Sequence, residues 1–423
     1  MQIDTARTWV FSWVLLLAWF GPTVGATESP INPEELTMMS PGFSVEPLPV
    51  DVTNVNDLAY DDQGRLWLLG YDGRIHIATD ADGDGLEETL TTYWNKPGIK
   101  SPLAMIHQSD GVLVSGMGKI VRIEDSDQNG LGDKEVVIAD GWEKSTNYSG
   151  GVDCLGMTMG KDGNLYFALG CADFTNAYLI KNGKAGYSRQ SERGTIIKQS
   201  PDGKREIIGT GIRFGVALAF DSSGELFATD QEGETWLPGG NPLDELLHIE
   251  KGRHYGFPPA HPQHLPHVFD EPAVALYGPQ HQSTCGLTFN EPAASGKSFG
   301  PESWRGNALV AGYSRGKVWR TRLAKTSAGY VSMTSLMASA RMLVIDTVVS
   351  PRGDLIVAAH GGSPDWGSGP TGKGMLFRVR MVDPTMPQVV RAWSASPVEV
   401  RVEFDRETWP EDMGQPTASI VWG

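Results

Sequence analysis

One pattern, repeated six times, limits what this chain can fold into. Each copy is an apolar strand, a tight turn ending in Gly, and a second apolar strand. Four clear copies occupy residues 58–69, 103–114, 155–167 and 216–227, and two looser ones run over 286–310 and 347–357. A third apolar strand follows each copy, beginning near Gly73, Gly118, Gly194, Leu246, Gly316 and Gly374. Turn glycines supply the positive φ that tight hairpins need. In-phase copies of one sheet-forming unit stack radially into a propeller, which leaves few exposed edges. A β-sandwich also has many short strands, but not six in-phase copies. The expectation is therefore all-β: a six-bladed β-propeller over residues 42–385, its last blade closed by an outer strand starting at Phe43.

The flanks read differently. Residues 1–26 have the form of a secretory signal peptide, with an apolar run from Trp9 to Phe20 and small residues Val24, Gly25 and Ala26 before the cleavage point. The run is short for a membrane span, and no Cys follows it to carry a lipid. A periplasmic or extracellular protein with no membrane span after cleavage is expected. Residues 389–423 alternate again from Pro397 and form a short C-terminal β extension, either a packed tail or the start of a further β-module. The net charge of −16 disfavours nucleic acid and anionic membranes as partners.

Two acidic turns share one spacing. Asp80, Asp82, Asp84 and Glu88 recur 45 residues on as Asp125, Asp127, Asn129 and Asp133, each with Gly at the sixth position. Oxygen ligands at that spacing imitate a calcium loop, although Thr91 and Val136 stand where a bidentate Glu would complete it. The alternative is an Asp-rich hairpin turn held by side-chain-to-backbone bonds. Cys154 and Cys171 flank the hairpin of blade three and are expected to form a disulfide in an oxidising compartment, or else to remain buried thiols. There is no haem-attachment motif.

Loops that enter an inner strand and loops that leave a second strand share one face of a propeller. That rule gathers Asp153 and Asp173 from blade three with Arg213, Asp230, Gln231 and Glu232 from blade four. Blade five adds His281, Gln282, Tyr313 and Arg315, and blade six adds His360. Arginines, carboxylates, histidines and amides at a channel mouth suit an anionic or polyhydroxy ligand. Asp153, His281 and His360 are the candidate catalytic bases, with Asp230 as a further carboxylate. The histidines at 261, 264 and 267 lie in a Pro-rich insertion that forms either a transition-metal site or a packed rim loop.

Several of these segments, taken as a series, resemble the glucose/sorbosone dehydrogenase-like propellers, relatives of soluble quinoprotein glucose dehydrogenase, of the kind found in large exported planctomycete-type proteins. They are Gly211-Ile212-Arg213-Phe214-Gly215, the stretch Asp230-Gln231-Glu232-Gly233, the stretch Asn241 to Leu246, and His254-Tyr255-Gly256-Phe257-Pro258. The resemblance implies a dehydrogenase that oxidises a sugar or polyol with pyrroloquinoline quinone and calcium and passes electrons to a cytochrome. It implies cofactor contacts from Arg213, Asp230, Gln231 and Glu232, with Arg315 beside them. It also implies a catalytic His about ten residues before Asp162, where this sequence has Val152 next to Asp153. The alternative function is a non-catalytic propeller presenting the same mouth to a glycan or protein.

Overall fold

The computed structural model describes residues 36–96, 98–145, 153–174, 176–184, 186, 191–233, 242–258, 273–292, 296–365 and 369–408, together with the backbone of Trp9–Val10. The expected signal peptide and the histidines at 261, 264 and 267 otherwise lie outside the described residues.

Six antiparallel sheets form the ring. Blade one is Val55–Tyr60, Leu66–Gly70, Ile75–Thr79 and Thr89–Trp94, counted from the axis outward. Blade two is Met105–Gln108, Gly111–Gly116, Lys119–Glu124 and Lys134–Asp140. Blade three is Cys154–Met159, Leu165–Leu169, Thr195–Gln199 and Arg205–Thr210, with Arg253–His254 added parallel to its edge. Gly215–Phe220, Leu226–Asp230, Asp244–Ile249 and Ala275–Tyr277 make blade four. Blade five comprises Thr284–Phe289, Ala308–Gly312, Lys317–Thr326 and Gly329–Ser339, edged by Thr37–Met38. Blade six comprises Leu343–Val349, Leu355–His360 and Met375–Met381, and its outer strand is Phe43–Pro47 from the other end of the chain. That latch is the one the sequence predicts.

The repeat folds this way because its turn is chemically specified. In blade one, Asp61 Oδ1 accepts the N–H groups of Gln63 and Arg65 at 2.9 Å, and its Oδ2 accepts Trp67 Nε1 at 2.8 Å. Asp221 closes the blade-four turn in the same manner, 2.9 Å from the N–H of Glu225. The second strands are mostly apolar because each blade is covered on both faces. Trp67, Leu69, Ile75 and Ile77 of blade one meet Val112, Val114 and Val121 of blade two in one buried cluster. Truncating a wholly buried leucine such as Leu68 to Ala costs about 2–5 kcal/mol.

Two observations correct or refine the sequence reading. Cys154 and Cys171 are free, buried thiols rather than a disulfide. Register is the reason: Cys154 faces Leu169, and the two sulfurs belong to different clusters, one with Phe167 and one with Phe257. Beyond the ring, Val389–Ser396 and Glu399–Phe404 form a hairpin that also pairs with the backbone of Trp9–Val10. Gln388 fastens it to the ring by donating to the Pro41 carbonyl at 2.9 Å. Among the described residues no helix is long and apolar enough to cross a membrane.

Candidate functional site at the channel mouth

The six inner strands surround an axial channel of about 200 Å³. On the face where the second strands end, a belt of hydrogen bonds runs from blade four through blades five and six to blade one. It starts at Asp230, whose Oδ2 and Oδ1 accept the N–H groups of Arg213 (2.9 Å) and Phe214 (2.6 Å). The Asp230 carbonyl accepts Thr284 Oγ1 at 3.0 Å, and Gln231 Nε2 donates to the Thr284 carbonyl at 3.0 Å. Asp244 then gathers three amides: Glu232 N–H at 2.9 Å, Gln282 N–H at 2.7 Å and Ser283 N–H at 2.6 Å. Ser314 N–H reaches the Gln282 carbonyl at 2.9 Å, and Tyr313 N–H reaches that of Ser283 at 3.1 Å. Finally Tyr313 Oη lies 3.1 Å from His360 Nδ1, and His360 Nε2 lies 3.0 Å from the Val55 carbonyl.

Burial sets the charges along this belt. Asp230 is pushed up to about 6 by desolvation, which outweighs its two amide bonds and Arg213. Desolvation and the neighbouring Asp230 and Glu245 hold Glu232 well above the usual carboxylate range. Burial lowers His360 to about 4. A neutral imidazole must therefore donate from Nε2 to Val55 and accept from the Tyr313 hydroxyl at Nδ1. His281 stands with Nδ1 3.5 Å from Asp244 Oδ1, a histidine backed by a wholly buried carboxylate.

The belt also holds unused hydrogen-bonding capacity. Arg213 Nη1 donates to the Gln231 carbonyl at 2.8 Å and the guanidinium lies 4.3 Å from the Phe214 ring centre. Its Nε, Arg315 Nε and Gln282 Oε1 are buried without a hydrogen-bond partner among the described residues. Gly233 has φ +69°, and a Cβ there would fall 2.5 Å from Arg213 Nη2, so only glycine lets the loop close over the guanidinium.

Asp153, gathered onto the same face by the sequence reading, has a different environment. It is wholly buried, ion-paired with Arg193, and bonded to the N–H of Gly118 and, at 3.0 Å, to Trp142 Nε1. The acidic turns sit on the rim, away from the belt. In the first, one ligand atom from each of Asp80, Asp82 and Glu88 lies within 4.8 Å of the others, the one such group among the described residues. Asp80 there also pairs with Arg352. In the second, Asp125 accepts the N–H groups of Asn129 and Gly130 at 3.0 and 2.8 Å, and Asp133 accepts that of Ser126 at 2.9 Å.

Asp244 enters the sequence reading only within the stretch Asn241 to Leu246, without a role, and Arg193 does not enter it. An acid at the first position of a third strand, directly before Glu245, was the available signal for Asp244. Arg193 carries no local signal, because its partner is 40 residues away in the chain.

Comparison with known proteins gives a family and a fold. A family model described as a domain of unknown function (DUF7133) matches residues 38–283, more than half of the chain. It is a family distinct from the glucose/sorbosone dehydrogenase-like proteins but of the same kind of propeller. Among solved structures the chain is similar to the PQQ-bound form of aldose sugar dehydrogenase from Streptomyces coelicolor, with 18% identity, 81% of this chain and 100% of that one covered, and a TM-score of 0.58. It is also similar to the holo form of the pyranose dehydrogenase PQQ domain from Coprinopsis cinerea (12% identity, 85% and 100% covered, TM-score 0.60). A calcium structure of a Trichoderma reesei carbohydrate-active enzyme of family AA12 matches with 11% identity, 84% and 99% covered, and a TM-score of 0.56. At such identities the likeness is one of fold. No curated protein matches the sequence.

Proposed function

The chain belongs to the DUF7133 family, and from that premise we propose that it is an exported, sugar- or polyol-directed propeller that binds a pyrroloquinoline quinone at the channel mouth and oxidises a substrate hydroxyl. The observation that carries this reading is the unused capacity of the belt. A planar tricarboxylate needs cationic donors not already committed to the protein. Arg213 and Arg315 each offer a buried Nε of that kind, and Gln282 Oε1 offers an acceptor. Polar atoms left unbonded in a dry site are costly without a ligand, so these residues fit the group. The dehydrogenases similar in fold carry PQQ in their own structures.

The carboxylates fit calcium less well. Asp230 and Asp244 have both oxygens engaged by backbone N–H groups. A cation held by the protein fits the rim turn better, where Glu88 Oε2 is buried without a hydrogen-bond partner among the described residues beside Asp80 and Asp82.

When bound, the quinone supplies a two-electron acceptor for the hydride leaving a substrate carbon. His281 takes the hydroxyl proton, and the buried Asp244 carboxylate stabilises the imidazolium that results. Tyr313 and the exposed Tyr71, both packed edge-on to His360 at 5.4 and 5.7 Å, give aromatic faces for the apolar side of a sugar ring. His360 holds the Tyr313 hydroxyl in place.

Asp153 favours a second reading. The position beside the expected catalytic His is sealed by Arg193 and Trp142, as in a propeller that binds a glycan without chemistry. Dye reduction by the chain loaded with pyrroloquinoline quinone, read against a panel of aldoses and polyols, separates the two. Sugar-dependent reduction that disappears in His281→Gln supports the dehydrogenase. Binding of a sugar without reduction leaves the glycan-binding propeller.

A further inference from the structure

Inside the channel, two acids that the oxidation does not use stand together. Asp57 of blade one and Asp346 of blade six both line the 200 Å³ space. They share one donor, the N–H of Leu58, at 2.8 Å from Asp57 Oδ1 and 2.9 Å from Asp346 Oδ2. Two carboxyls that meet at one N–H with no cation beside them are best held by a proton shared between them, because two carboxylates offer only acceptors. Asp57 Oδ2 further accepts the N–H of Met105, the first residue of blade two's inner strand. The pair thus ties blade six to blade one and blade one to blade two.

Among the described residues no Lys, Arg or His lines this part of the channel, and blades three and five turn Thr158 and Thr288 toward it. The other titratable group in the lining is Cys285, whose thiol is pushed up by burial and lies 3.5 Å from the Ala311 and Val344 carbonyls. His107, on the inner strand of blade two, has its ring 4.8 Å from that of Trp67 and does not line the channel. The close approach is built in: a Cβ on Gly286 would fall 2.2 Å from Asp346 Oδ1.

We propose that Asp57 and Asp346 hold one proton between them and that this proton latches the seam joining blades six, one and two, so that the propeller loosens as alkali removes it. Burial raises both groups, Asp57 to about 6 and Asp346 further because Asp57 lies beside it. A carboxyl whose folded value exceeds its unfolded one stabilises fully below the unfolded value, near 4. That contribution is lost as pH rises through about 6 and beyond.

The test is thermal unfolding of the full chain from pH 5 to pH 9, comparing wild type with Asp346→Asn, whose amide makes the shared bond without a titrating proton. The wild-type midpoint should fall by about 5 °C more than that of the variant across this range. Parallel curves would overturn the proposal. Should the variant not fold, wild-type chain carrying ¹³C-labelled aspartate gives a second readout by carbon NMR. An aspartate carboxyl that keeps its proton above the usual carboxylate range, and whose resonance is lost in Asp57→Asn, is expected, and its absence overturns the latch.

Discussion

Asp153 on blade three and Asp244 on blade four are both wholly buried acids at the same face of the ring, yet their neighbourhoods have opposite characters. Asp153 is closed off: a guanidinium, an indole N–H and an amide N–H meet its two oxygens. Asp244 takes three amides and still backs His281, while arginines and a glutamine nearby keep unbonded atoms. Burial alone does not separate the two, and neither does one spare donor, since Arg193 Nη1 beside Asp153 is also unbonded among the described residues; the mouth differs in gathering three such atoms, Arg213 Nε, Arg315 Nε and Gln282 Oε1.

Substitutions at each region should therefore have opposite consequences. Arg193→Ala leaves the Asp153 charge buried and unpaired, and denaturant unfolding should show a loss of about 3–5 kcal/mol, with quinone affinity of the folded fraction unchanged. The mouth itself responds to acid through His360. Its value is lowered from 6.5 to about 4, so its contribution is complete above pH 6.5 and disappears as pH falls toward 4. The loss amounts to about 3 kcal/mol, and His360→Gln, neutral at every pH, should flatten that limb of a pH–stability profile. Arg315→Ala should do the reverse of Arg193→Ala: quinone affinity falls about 10–100-fold through loss of a charged donor, while the unfolding midpoint stays within about 1 °C. The smallest effect concerns the rim, where Asp82→Asn should weaken terbium or calcium binding in a luminescence titration and leave quinone affinity unchanged.

The sequence makes the architecture readable because a six-fold repeat constrains every copy at once. The latch at Phe43–Pro47 follows from needing one more strand for blade six. The mouth is legible through the parity of strand ends, which puts Arg213, Asp230, His281, Tyr313 and His360 on one face. Long-range pairings are not legible. The N–H of Leu58 meets Asp346 across 288 residues, where blades one and six abut, and Arg193 meets Asp153 across 40 residues within blade three. Cys154 and Cys171 failed as a disulfide for a local reason, a register that sets Cys154 against Leu169. A lone acid inside an apolar strand, as at Asp346 in Leu343–Val349, is the signal that could have found the channel pair.

The most direct measurement is equilibrium binding of pyrroloquinoline quinone to the full chain, followed by absorbance, with Arg315→Ala in parallel. Saturable binding to wild type that weakens at least tenfold in Arg315→Ala, at equal thermal stability, is the expected result. Absence of saturable binding to wild type, with or without calcium, would contradict the assignment of the mouth as a quinone site.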